Sequence, residues 1–235
     1  MSKTAGTDGG SRGWSAGSAA PTTLVLVRHG VTALTLDKRF SGGIGGTNPP
    51  LAEAGRDQAR EAGQWLKAAA DRIDAVLTSP VLRTIETAEI IGAEIGHRAE
   101  VENAFAEMEF GEWDGLTFAE VAEQRPAEMK AWLGSLEVAP AGGESFRDVE
   151  GRVLGGLNRV LAEHAGRTIV VVSHVTPIKI MVGSALGAPL ESVYRMELSP
   201  ASVSVISHYP GGEGSESMSS LRLFNARPGD LPLVL

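Results

Sequence analysis

The chain has 235 residues, 43% of them hydrophobic and 21% charged, which supplies the core of one sizeable α/β unit and rules out a largely disordered chain. Against 21 Lys and Arg stand 29 Asp and Glu, a formal charge of −8, so nucleic-acid binding through the overall field is not expected and any anion site must be a local cluster of cations. There is no Cys, which excludes disulfides, thiolate catalysis and Cys-ligated zinc, and no apolar stretch reaches ~18 residues, so no membrane-spanning helix is expected.

Residues 1–20 are mostly Gly, Ser, Ala and Thr and read as a flexible tail or linker remnant, with Trp14 exposed. They contain no apolar h-region and so no signal peptide, and a cytoplasmic protein is expected. One domain is expected over 21–228, followed by a short tail at 229–235. TTLVLV (22–27) is a buried-strand signal. After the glycine-rich loop SGGIGGTNPP (41–50), the spacing of Leu51, Ala59, Ala62 and Leu66 predicts a helix over 51–70. DAVLTS (74–79) predicts a second strand, and Pro80 suits the first turn of a helix over 80–95. A strand at 99–102 leads into a loop containing EFGEWDG, then short helices at 117–124 and 127–134 and a longer one at 145–165 stopped by Gly166. TIVVVS (168–173) is the strongest strand signal, with a helix at 177–186 after it. Strands near 201–207 and 219–225 flank PGGEGSES as an antiparallel pair. Strand–helix alternation of this kind predicts a mainly parallel sheet with helices on both faces, and ligands in such sheets bind beyond the carboxyl ends of the strands.

Three of those ends carry cations. Arg28-His29-Gly30 follows the first strand, Pro80-Val81-Leu82-Arg83 the second, and Ser173-His174 ends the TIVVVS run. Each is a weak signal alone, since a tripeptide arises by chance and a lone helical Arg is usually solvated. Together, at the ends of strands that could be neighbours, they describe one cluster. Two guanidiniums clamp a phosphate bidentately. A neutral imidazole can attack phosphorus and become a phosphohistidine, and a second imidazole, carrying a proton, can stabilise the equatorial oxygens. No metal or other cofactor is required, and no HExxH or comparable ligand spacing is present. His97, His164 and His208 lie at predicted helix ends or a late strand and carry no such implication. The proton donor for the leaving oxygen should come from FAEMEFGEWDG (105–115), which offers Glu107, Glu109, Glu112 and Asp114. Residue context leaves Glu107, beside Met108 and near Phe105, and Glu109 nearly tied.

These segments resemble the histidine phosphatases, also called phosphoglycerate-mutase-like proteins, over about residues 22–185. LVLVRHGVT resembles LxLxRHGxT, with His29 in the phosphate-accepting position. RFSGG (39–43) looks like the loop that closes over substrate, which makes Ser41 and Gly42 candidate substrate contacts. NPPLAEAGRDQA resembles DxPLTxxGxxQA, and LTSPVLRTIETA resembles SSPLxRAxQTA, with Arg83 the second phosphate-binding Arg. AEMEFGEWDG resembles LxExxFGxWEG and puts Glu107, not Glu109, on the acid/base position. GGES (142–145) and VVSH (171–174) complete the set, with His174 the second catalytic His. The resemblance implies catalytic roles for Arg28, His29, Arg83, Glu107 and His174. It also implies a three-layer Rossmann-like fold, mostly parallel in its central sheet, with a small helical lid from about 104 to 140.

The chain departs from the family pattern at several points. Val31 stands where Glu or Gln is usual, and Asn48 replaces an Asp. Thr35 stands where many members place a phosphate-touching Asn, and its hydroxyl is kept as a candidate substrate contact. Ala52 replaces a Thr or Ser, at a cost of about 1 kcal/mol if a helix cap is lost there. Val175 replaces a Gly. SHVTPIK (173–179), with FGEWDGLTFAEV and PAGGESF, resembles the phosphatase half of bifunctional RNase H/α-ribazole phosphatase proteins. The implied function is metal-independent hydrolysis of a small phosphomonoester. α-Ribazole 5′-phosphate, an intermediate of cobalamin biosynthesis, is the named candidate, and sugar phosphates or 3-phosphoglycerate derivatives are its rivals. Phosphoglycerate-mutase-type transfer and a silent phosphate-binding scaffold are the alternatives. The only partner expected is that substrate, with no nucleic acid or membrane, and a dimer is compatible with the sequence.

Overall fold

Residues 168–173 combine β-branched side chains with burial on both faces, and they form the centre of the sheet. The computed structural model describes residues 20–212 and 216–228. The readings for 1–19, Trp14 included, and for 229–235 lie outside the described residues. The sheet has six strands: β1 (Thr22–Arg28), β2 (Ala75–Thr78), β3 (Ala99–Val101), β4 (Thr168–Ser173), β5 (Val203–Tyr209) and β6 (Met218–Ala226). Their order is β3-β2-β4-β1-β5-β6. The first four run parallel, and β5 and β6 add an antiparallel edge.

Side chains alternate across the sheet and build two cores. Val25, Val27, Val170 and Val172 pack against α2 (Glu53–Lys67) and α3 (Leu82–Ile95) through residues such as Leu66 and Ile91. Leu24, Leu26, Ile169 and Val171 face α6 (Phe146–Glu163) and α7 (Val175–Ala185), and this core continues through Phe105 and Trp113 into the lid. The lid helices are α4 (Phe118–Gln124) and α5 (Pro126–Gly134), and one short helix, α1 (Ala33–Leu36), follows β1. Capping boxes start α4 at Thr117 and α6 at Ser145, each satisfying two otherwise unpaired amides. Among the described residues no helix is long and apolar enough to cross a membrane.

The three-layer α/β architecture agrees with the sequence reading, with local corrections. Pro80 does not lie in the first turn of α3. Val81 is the extended N-cap, and Thr84 Oγ1 donates to the carbonyls of Ser79 and Val81, which holds 79–81 outside the helix. Helix α7 starts at Val175 rather than 177. Pro177 is its third residue, where a missing N–H costs nothing because first-turn amides have no intrahelical acceptor. Ala52 caps α2 with no side-chain hydrogen bond, as its identity requires. Helix α1 and the 3₁₀ turns at Ala70–Arg72, Asn103–Phe105, Gly111–Trp113 and Leu190–Arg195 are too short to imprint a period on the sequence.

One contact sets the loop after β1. A Cβ on Gly30 would lie 2.3 Å from the Gly55 carbonyl oxygen, and one on Gly55 would lie 2.1 Å from the Val31 oxygen. The two backbones therefore touch directly, drawing the start of α2 against the residue after His29. The Gln58 carboxamide oxygen accepts the Val31 N–H at 3.0 Å and fixes the same junction. We expect Gly55→Ala to destabilise the fold by about 1–3 kcal/mol, as overpacking against rigid backbone does. Urea unfolding measures this, and a loss under about 0.5 kcal/mol would mean the junction can relax.

Candidate active site

Strand register converges the site. Arg28 lies opposite Ser173, and Thr78 opposite Val172. The ladder runs one residue further, with His29 N–H donating to Ser173 O at 3.0 Å and Ser79 N–H to Val172 O at 3.0 Å. His29, Ser79 and His174 thus leave three adjacent parallel strands together, and Arg83 follows within the first turn of α3.

Two hydrogen bonds fix the His29 tautomer. Its Nδ1 sits 2.7 Å from the Gly30 carbonyl, which can only accept, so Nδ1 carries the proton. Its Nε2 accepts from Arg83 Nε at 3.3 Å, so the unprotonated nitrogen's lone pair is aimed toward Arg83. Burial, then Arg83, then Arg28 hold the His29 pKa well below its ordinary value, outweighing the opposing Gly30 bond. The ring is therefore held as an oriented imidazole, biased toward the neutral form.

Around it lie cationic and polar donors. Arg28 Nη1 donates to Leu198 O at 2.5 Å, and Arg83 Nη2 donates to the carbonyls of Ser41 and Gly42 at 3.2 and 2.9 Å. Burial lowers the Arg28 pKa, and burial, partly offset by Glu107, lowers that of Arg83 to about 10, so both stay charged. His174 is fully buried, its ring centroid 5.1 Å from that of His29. Its Nε2 lies 2.7 Å from Ser79 Oγ. With that hydroxyl donating, His174 Nδ1 holds the ring proton. Arg28 Nε, Arg83 Nη1 and His174 Nδ1 are all buried without a hydrogen-bond partner. Three unsatisfied buried donors beside one imidazole are costly unless an anion meets them. The expectation of a protonated second imidazole does not hold for the free site. Burial and then the Arg83 charge push the His174 pKa well below its ordinary value, and only an arriving dianion would reverse that field.

The four acidic residues of 105–115 divide their work. The Glu107 carboxylate accepts from Met108 N–H at 2.9 Å and Thr176 N–H at 3.5 Å, at the start of α7, and it lines the same cavity as Arg28, His29 and Arg83. Glu109 instead accepts from Gly45 N–H at 2.9 Å. Asp114 accepts from Gly42 N–H at 2.7 Å and from the Thr47 amide and hydroxyl. Glu112 pairs with Arg125 at 2.6 Å. Glu109 and Asp114 therefore strap the glycine-rich loop, whose other side is held by Arg83. Glu107 is positioned from behind by Arg152 of α6. That guanidinium donates to the carbonyls of Ala104, Ala106 and Glu107 at 2.7–2.9 Å and forks onto Glu144 at 2.8 Å. Glu144 in turn accepts the Glu109 N–H at 3.0 Å.

The cavity over His29 has a volume of about 240 Å³ and is also lined by Thr35, Lys38, Arg39, Ser41, Val175 and Thr176. The Thr35 hydroxyl bonds that of Thr32 at 3.1 Å, and Ser41 Oγ bonds Thr47 O at 3.3 Å. Gly42 is not part of the lining; it contributes its carbonyl to Arg83 and its N–H to Asp114. Sequence reasoning missed Lys38, Arg39, Ser79, Glu144 and Arg152. Ser79 could have been marked by its place at a strand end beside Pro80. Arg152 lies eight residues after Glu144, which precedes the cap of α6, a spacing with no chemistry attached until the lid is folded. Among the described residues no group of three or more His, Asp or Glu side chains is arranged to hold a metal ion.

Residues 24–220 match the model of the histidine phosphatase superfamily, branch 1. The chain belongs to that superfamily. A bifunctional protein of Mycobacterium tuberculosis is 40% identical over 215 residues, covering 92% of this chain and 57% of that protein. The chain thus spans 57% of the length of that curated relative. Phosphoserine phosphatase 1 of Hydrogenobacter thermophilus is 33% identical over 184 residues, covering 78% of this chain and 85% of that one. Among solved structures, a mycobacterial glucosyl-3-phosphoglycerate phosphatase in complex with VO3 superposes with a TM-score of 0.75 at 26% identity, covering 87% of this chain and 98% of that one. In this superfamily member Arg28, His29, Arg83 and Glu107 line one cavity, and His174 lies outside its lining, in ring contact with His29.

The two depressed imidazoles make stability pH-dependent. The unfolded chain binds both protons near pH 6.5, and the folded chain resists them. Stability is therefore intact above the unfolded value and falls as pH drops below it toward the folded values, by up to about 1.4 kcal/mol per pH unit for each His. Urea unfolding in phosphate-free buffer between about pH 7.5 and 5 should show a steeper acid loss for wild type than for a His29→Gln/His174→Gln double variant. Equal slopes would contradict the neutral pair.

Proposed function

We propose that this chain hydrolyses small phosphomonoesters through a phosphohistidine at His29, without a metal. The observation that carries this is an oriented His29 whose Nε2 is engaged, among the described residues, only by Arg83 Nε, in a site where Arg28, Arg83 and His174 each hold a buried donor without a partner. The phosphoryl group would sit in those donors, in line with Nε2. Nε2 bonds to phosphorus as the P–O bond to the alcohol breaks, and Glu107 gives its proton to the departing oxygen. The Glu107 carboxylate then takes a proton from water. That oxygen attacks phosphorus, the N–P bond breaks, and His29 and inorganic phosphate are regenerated. Charge building on the equatorial oxygens is met by fixed donors, which need no reorganisation.

For the substrate, α-ribazole 5′-phosphate is our first candidate. Its support is the resemblance of SHVTPIK and its companion segments to the α-ribazole phosphatase half of bifunctional proteins, together with the 40% identity to a bifunctional relative. A phosphorylated glycerate derivative is the rival, supported by the likeness to glucosyl-3-phosphoglycerate phosphatase.

Wild type quenched with denaturant after mixing with a ³²P-labelled phosphomonoester, EDTA present throughout, should carry label that is lost in acid and retained in alkali. His29→Ala should carry none and lose turnover. An acid-stable label, a strict requirement for added divalent metal, or full activity in His29→Ala would overturn the mechanism. Transfer of label to 3-phosphoglycerate rather than to water would assign mutase-type chemistry instead.

Glu107→Gln should slow the first step with alkyl phosphates by on the order of 10²–10⁴-fold, and far less with p-nitrophenyl phosphate, whose leaving group needs no proton. Single-turnover kinetics isolates that step. Glu109→Gln should act mildly on both, through the loop amide it holds. The reverse pattern would assign the proton to Glu109.

A further inference from the structure

A second hollow, of about 300 Å³, adjoins the cavity over His29. The two share four wall residues, Phe40, Phe110, Val175 and Thr176, so they lie side by side, with chemically different linings. The end at His29 holds Arg28, Lys38, Arg39 and Arg83. The far end is walled by rings. Phe40 meets Phe110 at 4.7 Å, Trp132 meets Phe146 at 5.3 Å, and Phe146 meets Tyr194 at 5.3 Å between centroids. It contains no Asp, Glu or Arg. Its one charged residue, Lys179, already donates to Val193 O at 2.9 Å. Phe118 and Tyr194 at its edge are 49% and 46% exposed, large apolar surfaces left to solvent beside a catalytic cavity.

We infer that this aromatic hollow is the subsite for the alcohol part of the substrate, and that it takes a flat apolar or aromatic group rather than a carboxylate. The inference rests on the phosphomonoesterase reading and adds the substrate class. A phosphate held at the cationic end directs its ester oxygen past Glu107, and the only walls shared with the next space are Phe40, Phe110, Val175 and Thr176. A carboxylate placed beyond them would lose its hydration and find a single ammonium already bonded to a carbonyl, a costly exchange. An aromatic ring would meet ring faces and edges at stacking distance. Val175 gains a role here. Where the family pattern has Gly, this chain puts an apolar side chain on the wall common to both spaces.

The test separates binding from turnover by using phosphonates, in which a methylene replaces the ester oxygen and no hydrolysis occurs. Calorimetry compares propylphosphonate, 3-phenylpropylphosphonate and 2-hydroxy-4-phosphonobutanoate, and the matching ethyl, 2-phenylethyl and glycerate phosphates are assayed in parallel. We expect 3-phenylpropylphosphonate to bind about 10-fold or more tightly than propylphosphonate, and the carboxylate analogue no better than propylphosphonate. Phe118→Ala and Tyr194→Ala, both at half-exposed positions, should each reduce the phenyl preference severalfold. Equal binding of the phenyl and propyl compounds, tightest binding of the carboxylate compound, or a preference unmoved in both variants would overturn the subsite. Failure of all three to bind would overturn the phosphate site and the subsite with it. A phenyl preference in binding with no turnover of any ester would sustain the subsite and defeat the phosphatase reading.

Discussion

Positive charge gathered in a buried place is the constraint on which this molecule is built. Arg28 and Arg83 both lose hydration beside His29, and that burial, joined at Arg83 by the charge of Arg28, loosens each guanidinium's hold on its proton. Left alone they would repel, or recruit water and carboxylates that fill the site. The fold answers with backbone carbonyls. Leu198, Ser41 and Gly42 offer oxygen dipoles that hold the guanidiniums without neutralising them. One carboxylate, Glu107, stands close enough to stabilise both cations, and its own main chain is gripped by a third guanidinium on α6. Burial first, and the surplus positive field second, hold both imidazoles toward the neutral form.

Much of this was legible in the sequence because the fold delivers its chemistry at strand ends. Buried parallel strands announce themselves as β-branched runs, and the residue after each run is then located in space. That logic placed Arg28, His29 and His174 correctly without knowledge of pairing, and strand order β2-β4-β1 supplied the adjacency. Charge state was not legible, since it depends on how many cations share one buried volume. The sequence suggested a proton on His174, and its burial, reinforced by Arg83 beside it, disfavours that proton. The roles of Glu109 and Asp114 were equally hidden. Both sit in the same eleven-residue stretch as Glu107, and only the path of the glycine-rich loop shows that their acceptors face amides rather than substrate.

The loop and lid are thus joined to the sheet through polar contacts that use main-chain groups on one side. Glu109 and Asp114 hold loop amides, Arg83 holds loop carbonyls, and Arg152 holds lid carbonyls. A charged side chain meeting a backbone group is a strong, directional bond. Each junction therefore fixes the course of the chain while leaving the adjoining cavity walls to be set by other residues, the aromatic hollow among them.

The strand order also bears on how the chain is made. β4 lies between β1 and β2, yet about ninety residues separate it from β2 in sequence. While the ribosome is still producing the lid and α6, β1 and β2 have emerged and lack the strand that joins them. Both then present unpaired, strongly apolar edges, the condition under which nascent chains aggregate. The central β-branched run is thus the last of the four parallel strands to be made, and the neighbours it joins wait for it.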